Sequence, residues 1–482
     1  MKPKYRNVRR VSLATALTLA SLIIAGAAPA ADRKPNVLFI VADDLGWKDV
    51  GFHGSDIKTP NLDQLAENGV RLEQFYAQPM CTPTRAALMT GRYPLRYGLQ
   101  TAVIPAGSTY GLATDEWLLP QALKEAGYTT AIIGKWHLGH SDKKYWPRQR
   151  GFDYQYGPLI GEIDYFTHQA GGVVDWYRNN KQINEKGYST TLLGNEAVKF
   201  INQHNPATPL YLYLAFNAAH TPYQAPQAYL NTYKDIADPA RRAYAGSITA
   251  MDDQIGRVLD ALARKKMREN TLIVFMSDNG GTRNAMFTGA IADVSKLNIP
   301  CDNGPYREGK GMLYEGGTRV VALANWPGHI KAGSTVNEMI HAVDWYPTLL
   351  GLAGAPSGKA KPLDGMDVWL TISEGKPSPR TEIVYNIEPF RAAVREGDWK
   401  LVWRTTLPSS VELYNIPQDP SEKNNVADQH PDMVAALQKR ANELAAVAAK
   451  PLYLETEFKA MLQRAKLPPA FPGEEFEFNV EK

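Results

Sequence analysis

The segment VLFIVADD, residues 37–44, shows a pattern that recurs along this chain: an unbroken apolar run stops at two carboxylates. A continuous apolar run without alternation predicts a strand that is covered on both faces, as in parallel sheets. Three later segments repeat the design and end in charged, amide or imidazole side chains: TAIIGKWH (130–137), YLYLAFNAAH (211–220) and LIVFMSDNG (272–280). The sequence therefore predicts four buried strands with polar side chains at their carboxyl ends.

Helical segments lie between these strands. Residues 59–69, 118–126 and 241–264 all have helical periodicity. Strands that alternate with helices favour a doubly wound α/β sheet flanked by helices, whose ligands bind at the carboxyl ends of the strands. Because all four polar groups fall at that edge, we expect them to share one site.

The composition changes in the last third of the chain. Residues 351–364 are rich in Gly, Pro and Lys, which is typical of a linker. Short alternating runs within residues 383–414 predict an antiparallel sheet, and residues 431–450 have the periodicity of a helix that packs on it. We therefore expect a main domain over residues 31–350 and a smaller C-terminal α+β subdomain over residues 351–482.

The first 30 residues have the pattern of a secretory signal peptide. Five basic residues precede an apolar stretch that ends in Ala28-Pro29-Ala30, which predicts cleavage before Ala31 and export to the periplasm or the medium. An uncleaved membrane anchor is the alternative, and the export route, Sec or twin-arginine, stays open. Without those five residues the chain has 48 Lys and Arg against 50 Asp and Glu, a net charge of −2. That balance favours neither nucleic acid nor an anionic membrane as a partner.

Two polar pairs, Asp43-Asp44 and Asp278-Asn279, offer oxygen ligands. Hard cations such as Ca²⁺ and Mg²⁺ take this kind of ligand, usually about six or more of them. Either pair alone is also typical of an ordinary turn at the end of a strand. Because both pairs follow buried strands of one predicted sheet, we prefer the cation site.

Cys81 is one of only two cysteines, so the chain is not built on a disulfide framework. The run CTPTRAALMTG, residues 81–91, predicts a short helix that begins at Pro83, with Thr82 as its N-cap, and ends before the glycine. A helix N-terminus attracts anions, and Arg85 in its first turn would pair with such an anion. The alternative is a buried structural cysteine, the commonest fate of an unpaired one.

The segment around Cys81 resembles the signature of the type I sulfatases, Cys-x-Pro-Ser-Arg followed by Leu-Thr-Gly. In that family the cysteine is oxidised to formylglycine. Further blocks similar to the family occur in order along the chain: residues 36–55, GKWHLG (134–139), AHTP (219–222), SDNG (277–280), REGK (307–310), AVDWYPT (342–348) and residues 413–422. The resemblance implies an alkaline-phosphatase-like mixed sheet and a sulfuric ester hydrolase of the arylsulfatase type.

The resemblance also implies a metal centre and a nucleophile. Asp43, Asp44, Asp278 and Asn279 would hold one Ca²⁺, with Mg²⁺ as the second candidate. Cys81, converted to formylglycine and hydrated, would place one oxygen near this cation and attack sulfur with it. A plain cysteine or serine lacks the second hydroxyl by which the sulfated intermediate collapses, which is the chemical reason for the modification.

Roles for the basic residues follow from the same resemblance. Arg85, Lys135 and Lys310 would neutralise the sulfate oxygens as charge develops on them. His220, together with Lys310, would protonate the departing alcohol, and His137 would deprotonate the remaining hydroxyl of the diol. Taken singly, a lysine is more often a solvated side chain and a histidine more often structural, and Lys310 has no predicted strand to place it.

The chain departs from the family at two places. Thr84 stands where the family usually has serine. Residues 280–304 resemble an enlarged loop that would line the substrate entrance. This loop contains Cys301, which we expect to be buried and inert.

The substrate is the least determined property. The sequence around Cys81 is similar to that of the arylsulfatase B group. This resemblance implies a sulfated small molecule or oligosaccharide, such as N-acetylgalactosamine 4-sulfate, as substrate. A formylglycine-generating enzyme would be the partner during maturation, with no membrane partner after signal cleavage. Trp176, Tyr177 and Arg178 would contact a sugar or simply pack. Two other functions stay open: a formylglycine-dependent phosphodiesterase or phosphonate monoester hydrolase, and a non-catalytic binder of sulfated glycans.

Overall fold

The structure is a computed structural model that describes Met1, residues 33–283 and residues 299–464. The predicted signal peptide, apart from Met1, and most of the predicted loop over 280–304 lie outside the described residues. The described residues from Lys34 onward belong to one compact unit, and the expected domain limit at residue 350 stays a prediction. No helix among the described residues is both long and apolar enough to cross a membrane.

Eighteen strands are formed by the described residues: β1 (Asn36–Ala42), β2 (Val70–Leu72), β3 (Phe75–Tyr76), β4 (Thr129–Gly134), β5 (Tyr154–Gly157), β6 (Gln169–Ala170), β7 (Val173–Val174), β8 (Tyr177–Arg178), β9 (Lys181–Gln182), β10 (Leu210–Ala215), β11 (Thr271–Ser277), β12 (Ala322–Asn325), β13 (Ser334–Val336), β14 (Ile340–His341), β15 (Glu382–Ile387), β16 (Arg391–Glu396), β17 (Trp399–Arg404) and β18 (Ser410–Asn415).

Ten of these strands form one mixed sheet, in the order β13-β2-β12-β11-β1-β10-β4-β5-β8-β9. The strands β11, β1, β10, β4 and β5 at its centre run parallel. Antiparallel pairing begins at β12 on one side and at β8 on the other. The four predicted buried strands are therefore adjacent, and the predicted mixed sheet is confirmed.

Eleven α-helices accompany the strands in the described part of the chain: α1 (Pro60–Glu67), α2 (Cys81–Thr90), α3 (Leu119–Glu125), α4 (Ser189–Gln203), α5 (Gln227–Thr232), α6 (Pro239–Arg264), α7 (Glu315–Thr318), α8 (Trp345–Ala353), α9 (Trp369–Glu374), α10 (Pro431–Ala446) and α11 (Leu452–Arg464).

Both faces of the sheet are covered, which explains the unbroken apolar run of β1. Side chains alternate between the two faces of a strand. Val37 and Phe39 belong to a core that they share with α2, α3 and α8. Leu38 and Ile40 belong to a second core, shared with α1, α4 and α6. Every residue of β1 is buried, so the predicted doubly wound arrangement is confirmed.

The C-terminal prediction is also confirmed. Strands β15, β16, β17 and β18 form an antiparallel sheet in chain order. Helix α10 packs on this sheet: Leu437 contacts Leu401 and Leu413 in a buried cluster, and Leu444 lies in a second one with Val394.

The helix that carries Cys81 starts earlier than predicted. Helix α2 begins at Cys81 itself, with Met80 in the N-cap position, and ends before Gly91, whose φ of 67° is left-handed. Thr82 is therefore not the N-cap. Its hydroxyl donates to the carbonyl of His137 at 3.0 Å and accepts from the Ile104 amide at 3.1 Å, so it ties the helix to two neighbouring loops.

Candidate active site and metal centre

Four strand ends meet at one edge of the sheet. Val41 is in register with Ala215 and Met276, and Ala215 with Gly134, so β1, β10, β11 and β4 end side by side. The polar side chains that follow these strands are consequently brought together and buried: Asp43, Asp44, Lys135, His137, Asn217, His220, Asp278 and Asn279.

Cys81 lies against the carboxylates of this edge. Its Sγ is 3.3 Å from Asp43 Oδ1 and 4.0 Å from Asp44 Oδ1, and the side chain is 1% exposed. Burial, together with the Asp278 and Asp43 carboxylates, raises the pKa of the Cys81 thiol well above its usual range. The unmodified thiol therefore stays protonated at neutral pH.

Three buried cations offset these carboxylates. Arg85 donates from Nε and Nη2 to Asp278 Oδ2 at 3.0 and 2.7 Å, and Lys135 forms an ion pair with Asp43. Lys310 Nζ is 2.8 Å from Asp44 Oδ2. Because α2 starts at Cys81, Arg85 lies in its second turn and not, as predicted, in the first.

Both predicted histidines border Cys81 and are neutral. His220 Nε2 lies 3.0 Å from Lys310 Nζ and its Nδ1 lies 2.7 Å from the Thr221 carbonyl, which assigns the proton to Nδ1. Burial and the Lys310 charge lower the pKa of His220 to about 4. Burial and Lys135 lower the pKa of His137 well below its usual range.

His137 has one free nitrogen. Its Nε2 is 3.2 Å from the Ile104 carbonyl. Its Nδ1 is buried without a hydrogen-bond partner among the described residues. The ring therefore has a nitrogen available to take up a proton.

The chain matches known proteins along most of its length. The Sulfatase family model matches residues 35–355. The chain belongs to the sulfatase family. The predicted type I sulfatase family and the predicted class of sulfuric ester hydrolase are thereby confirmed. A second model, N-sulphoglucosamine sulphohydrolase, C-terminal, matches residues 307–448 of this sulfatase.

Two curated relatives and one solved structure illustrate the similarity. The sulfatase chain is 39% identical to mouse arylsulfatase J over 398 residues, which cover 80% of this chain and 64% of that protein. It is 34% identical to mouse N-acetylgalactosamine-6-sulfatase over 415 residues, covering 81% of this chain and 76% of that one. The crystal structure of Ps i-CgsB in complex with k-i-k-neocarrahexaose is 34% identical, has a TM-score of 0.78, and covers 87% of this chain and 94% of its own.

The donor set of this sulfatase fits a hard cation. Ligand atoms of Asp43, Asp44, Cys81 and His220 lie within 4.8 Å of one another. Asn279 donates from Nδ2 to Asp44 Oδ1 at 2.7 Å, whereas its buried Oδ1 has no partner among the described residues. A buried acceptor without a donor, beside two carboxylates, is the arrangement that a bound cation would satisfy.

The sequence also missed or misread some residues near the site. Thr282 was not singled out, although its hydroxyl lies 3.3 Å from Asp44 Oδ2. The sugar-contact interpretation of residues 176–178 fails for Trp176, which is fully buried and stacks on His168. Cys301 is buried, as expected, and burial raises its pKa to about 12.

Proposed function

We propose that the protein hydrolyses sulfate monoesters of sugars, with a formylglycine made from Cys81 as its reactive group and one Ca²⁺ held by Asp43, Asp44, Asp278 and Asn279. The environment of Cys81 carries the proposal. A buried thiol between carboxylates is a poor thiolate nucleophile, yet Cys81 lies among the other predicted site residues. A modified form of Cys81 accounts for both observations. Mg²⁺ is the second candidate for the cation.

The aldehyde supplies, as its hydrate, two hydroxyl groups on one carbon, and the cation supplies Lewis-acid polarisation of an oxyanion. The chain's own residues do the rest of the work. Lys135, Lys310 and Arg85 place positive charge around the position of the sulfate, where negative charge grows as the ester bond breaks.

The two histidines divide the proton transfers between them. Lys310 donates to His220 Nε2, so this pair can deliver a proton to the alcohol that leaves. His137 presents its unpartnered Nδ1 and, being neutral, can accept a proton from the nucleophile's second hydroxyl. We assign proton donation to His220 and proton uptake to His137 because Lys310 contacts only the His220 ring.

Mass spectrometry of the peptide that contains Cys81 tests the modification directly. We expect a peptide about 18 Da lighter than the cysteine form. Co-expression with a formylglycine-generating enzyme should increase the modified fraction and the activity in proportion. Full activity of a protein with an entirely unmodified thiol would contradict the proposal.

Relative rates decide between the proposed reaction and its rivals. We expect 4-nitrophenyl sulfate to be hydrolysed with a higher kcat/KM than bis(4-nitrophenyl) phosphate. The opposite order would favour a phosphodiesterase or phosphonate monoester hydrolase. Tight binding of sulfated oligosaccharides without turnover of any ester would favour a non-catalytic binder.

The sugar substrate is proposed from the relatives. One is named N-acetylgalactosamine-6-sulfatase and another was crystallised with a neocarrahexaose. A panel should therefore include N-acetylgalactosamine 4-sulfate, the 6-sulfate and carrageenan oligosaccharides. We propose an exported enzyme, periplasmic or secreted, and N-terminal sequencing of the mature protein should begin at Ala31.

A further inference from the structure

A cavity of about 740 Å³ opens beside the active-site residues already described. Its volume lies within the range of small-ligand pockets, about 300–1,000 Å³. Away from Cys81, its described walls are the segments 102–106, 160–164 and 169–171, together with Tyr453 of α11. The cavity therefore has room for the group that carries the sulfate as well as for the sulfate itself.

Glu162 is a carboxylate in the wall of this cavity. It is half-buried, and no described residue donates a hydrogen bond to it or pairs with its charge. Its charge nevertheless reaches His220 at the reactive end. Asp164 lines the same cavity but is engaged: its Oδ1 accepts from the Thr167 amide at 2.7 Å and its Oδ2 from Gln224 at 2.7 Å.

Among the described lining residues, positive charge lies only at the reactive end of the cavity. Lys310 is the one lysine or arginine among the described residues that line it, and it is paired with Asp44. The carboxylates Glu162 and Asp164 lie on the wall beyond. A second anionic substituent on the substrate would meet their repulsion, and the described lining residues hold no unpaired lysine or arginine to offset it.

We infer that this cavity is a subsite for an uncharged sugar ring, and that Glu162 determines that specificity. The inference rests on the proposed function and names its substrate class: a sugar with one sulfate and no carboxylate. Glu162 accepts hydrogen bonds from the hydroxyl or amide groups of this sugar. Val103 and Ile160, which are only partly buried, offer apolar surface to the ring.

The test compares 4-methylumbelliferyl N-acetyl-β-galactosaminides that carry a 4-sulfate, a 6-sulfate or both. The value of kcat/KM for each is measured for the wild type, Glu162→Gln and Glu67→Gln. Glu67 is an exposed carboxylate at the end of α1 that does not line the cavity, so its variant is the charge-matched control. In parallel, 4-nitrophenyl sulfate tests the proposed function by itself.

We expect the wild type to have a higher kcat/KM for the monosulfated sugars than for the disulfated one. In Glu162→Gln the ratio of these two kcat/KM values should fall about tenfold. Glu67→Gln should keep the wild-type ratio, and equal melting temperatures should show that all three proteins are folded alike. The inference is overturned if Glu162→Gln keeps the wild-type ratio, if the wild type prefers the disulfated sugar, or if the aryl sulfate alone is hydrolysed. If no sulfate ester is hydrolysed at all, the proposed function fails and the inference falls with it.

Discussion

At the scale of single residues, the position of Cys81 is unlike that of a reactive cysteine. Thiolate nucleophiles occupy electropositive, partly exposed surroundings that lower the thiol pKa. Cys81 is buried, and the carboxylates of Asp43 and Asp278 add to the effect of burial, so its pKa rises. This environment supports the proposal that the site holds a cation and an oxygen nucleophile, of which the Cys81 thiol would be the precursor.

The Cys81→Ala variant should keep its fold and lose its turnover. Alanine is smaller and apolar, so it removes the reactive group while leaving the ion pairs of Lys135 and Lys310 in place. We expect kcat on 4-nitrophenyl sulfate to fall by at least about 10³-fold, with little change in the melting temperature. Full sulfatase activity of this variant would refute the role of Cys81.

A second prediction concerns Asp175, whose Oδ2 accepts from the Ile160 amide at 2.7 Å in the cavity wall. Burial raises the pKa of Asp175 to about 6. The folded state therefore holds the carboxyl proton of Asp175 more tightly than the unfolded chain does. The free energy of unfolding that this proton contributes is lost as the pH rises from about 4 to about 6. Asp175→Asn does not titrate, so its free energy of unfolding relative to wild type should rise by about 2–3 kcal/mol between pH 4 and pH 7.

Urea unfolding at these two pH values measures that change. Asp260→Asn alters an exposed carboxylate on α6 and serves as the control, whose stability should follow that of the wild type at both pH values. A difference between Asp175→Asn and wild type that does not depend on pH would show that folding does not raise the pKa of Asp175.

At the scale of elements, the site depends on a strand that lies outside the main sheet. Arg391, the first residue of β16, donates from Nη1 to the Gly311 carbonyl at 2.7 Å. The Gly311 amide donates to the Pro79 carbonyl at 2.7 Å. The backbone next to Lys310 is thus held between the C-terminal sheet and the loop that precedes Cys81.

Arg391→Gln should therefore disturb the position of Lys310. We expect kcat to fall about tenfold while KM changes less, because a small displacement of a charged group weakens its contribution in the transition state. Arg391→Lys should restore part of the rate. Arg404→Gln, a half-exposed position on β17, is the matched control. A loss of rate that merely follows a loss of stability would assign Arg391 to folding and not to positioning.

At the scale of the whole molecule, a buried ion cluster joins the C-terminal sheet to helix α7. Lys400 of β17 is fully buried, and its Nζ lies 2.9 Å from Glu315 and 2.8 Å from Glu422. Glu315 is the first residue of α7, shortly after Lys310. Burial opposes the ionised form of Glu315, but Lys400 and Arg319 lower its pKa to about 2. The C-terminal sheet therefore supports the segment that connects Lys310 to α7.

Lys400→Met should be strongly destabilising, since it leaves buried carboxylates without their cation. Removing one partner of a buried pair typically costs about 3–5 kcal/mol of the free energy of unfolding. Glu422→Gln should cost less, because burial raises the pKa of Glu422 to about 7 and part of it is neutral already. Urea unfolding of both variants at pH 7 gives the comparison, and a Lys400→Met protein as stable as wild type would contradict this account.

The sequence by itself predicted the four central strands, the C-terminal sheet and the residues that we propose for the site. The buried character of β1 and the polar residues after it are local properties, since both follow from side chains within one short segment. The same holds for the CTPTR run that marks Cys81. The start of α2 was misplaced because the loops that hold Thr82 lie elsewhere in the chain.

Only the tertiary structure decided which groups act on one another. Arg85 pairs with Asp278 across 193 positions of the chain, and Lys310 meets His220 across 90. Glu162 reaches the reactive end only because its segment forms a wall of the cavity. Such partners depend on the order of strands and on packing, because residues distant in the chain become neighbours only when the sheet assembles, whereas periodicity and composition describe each segment alone.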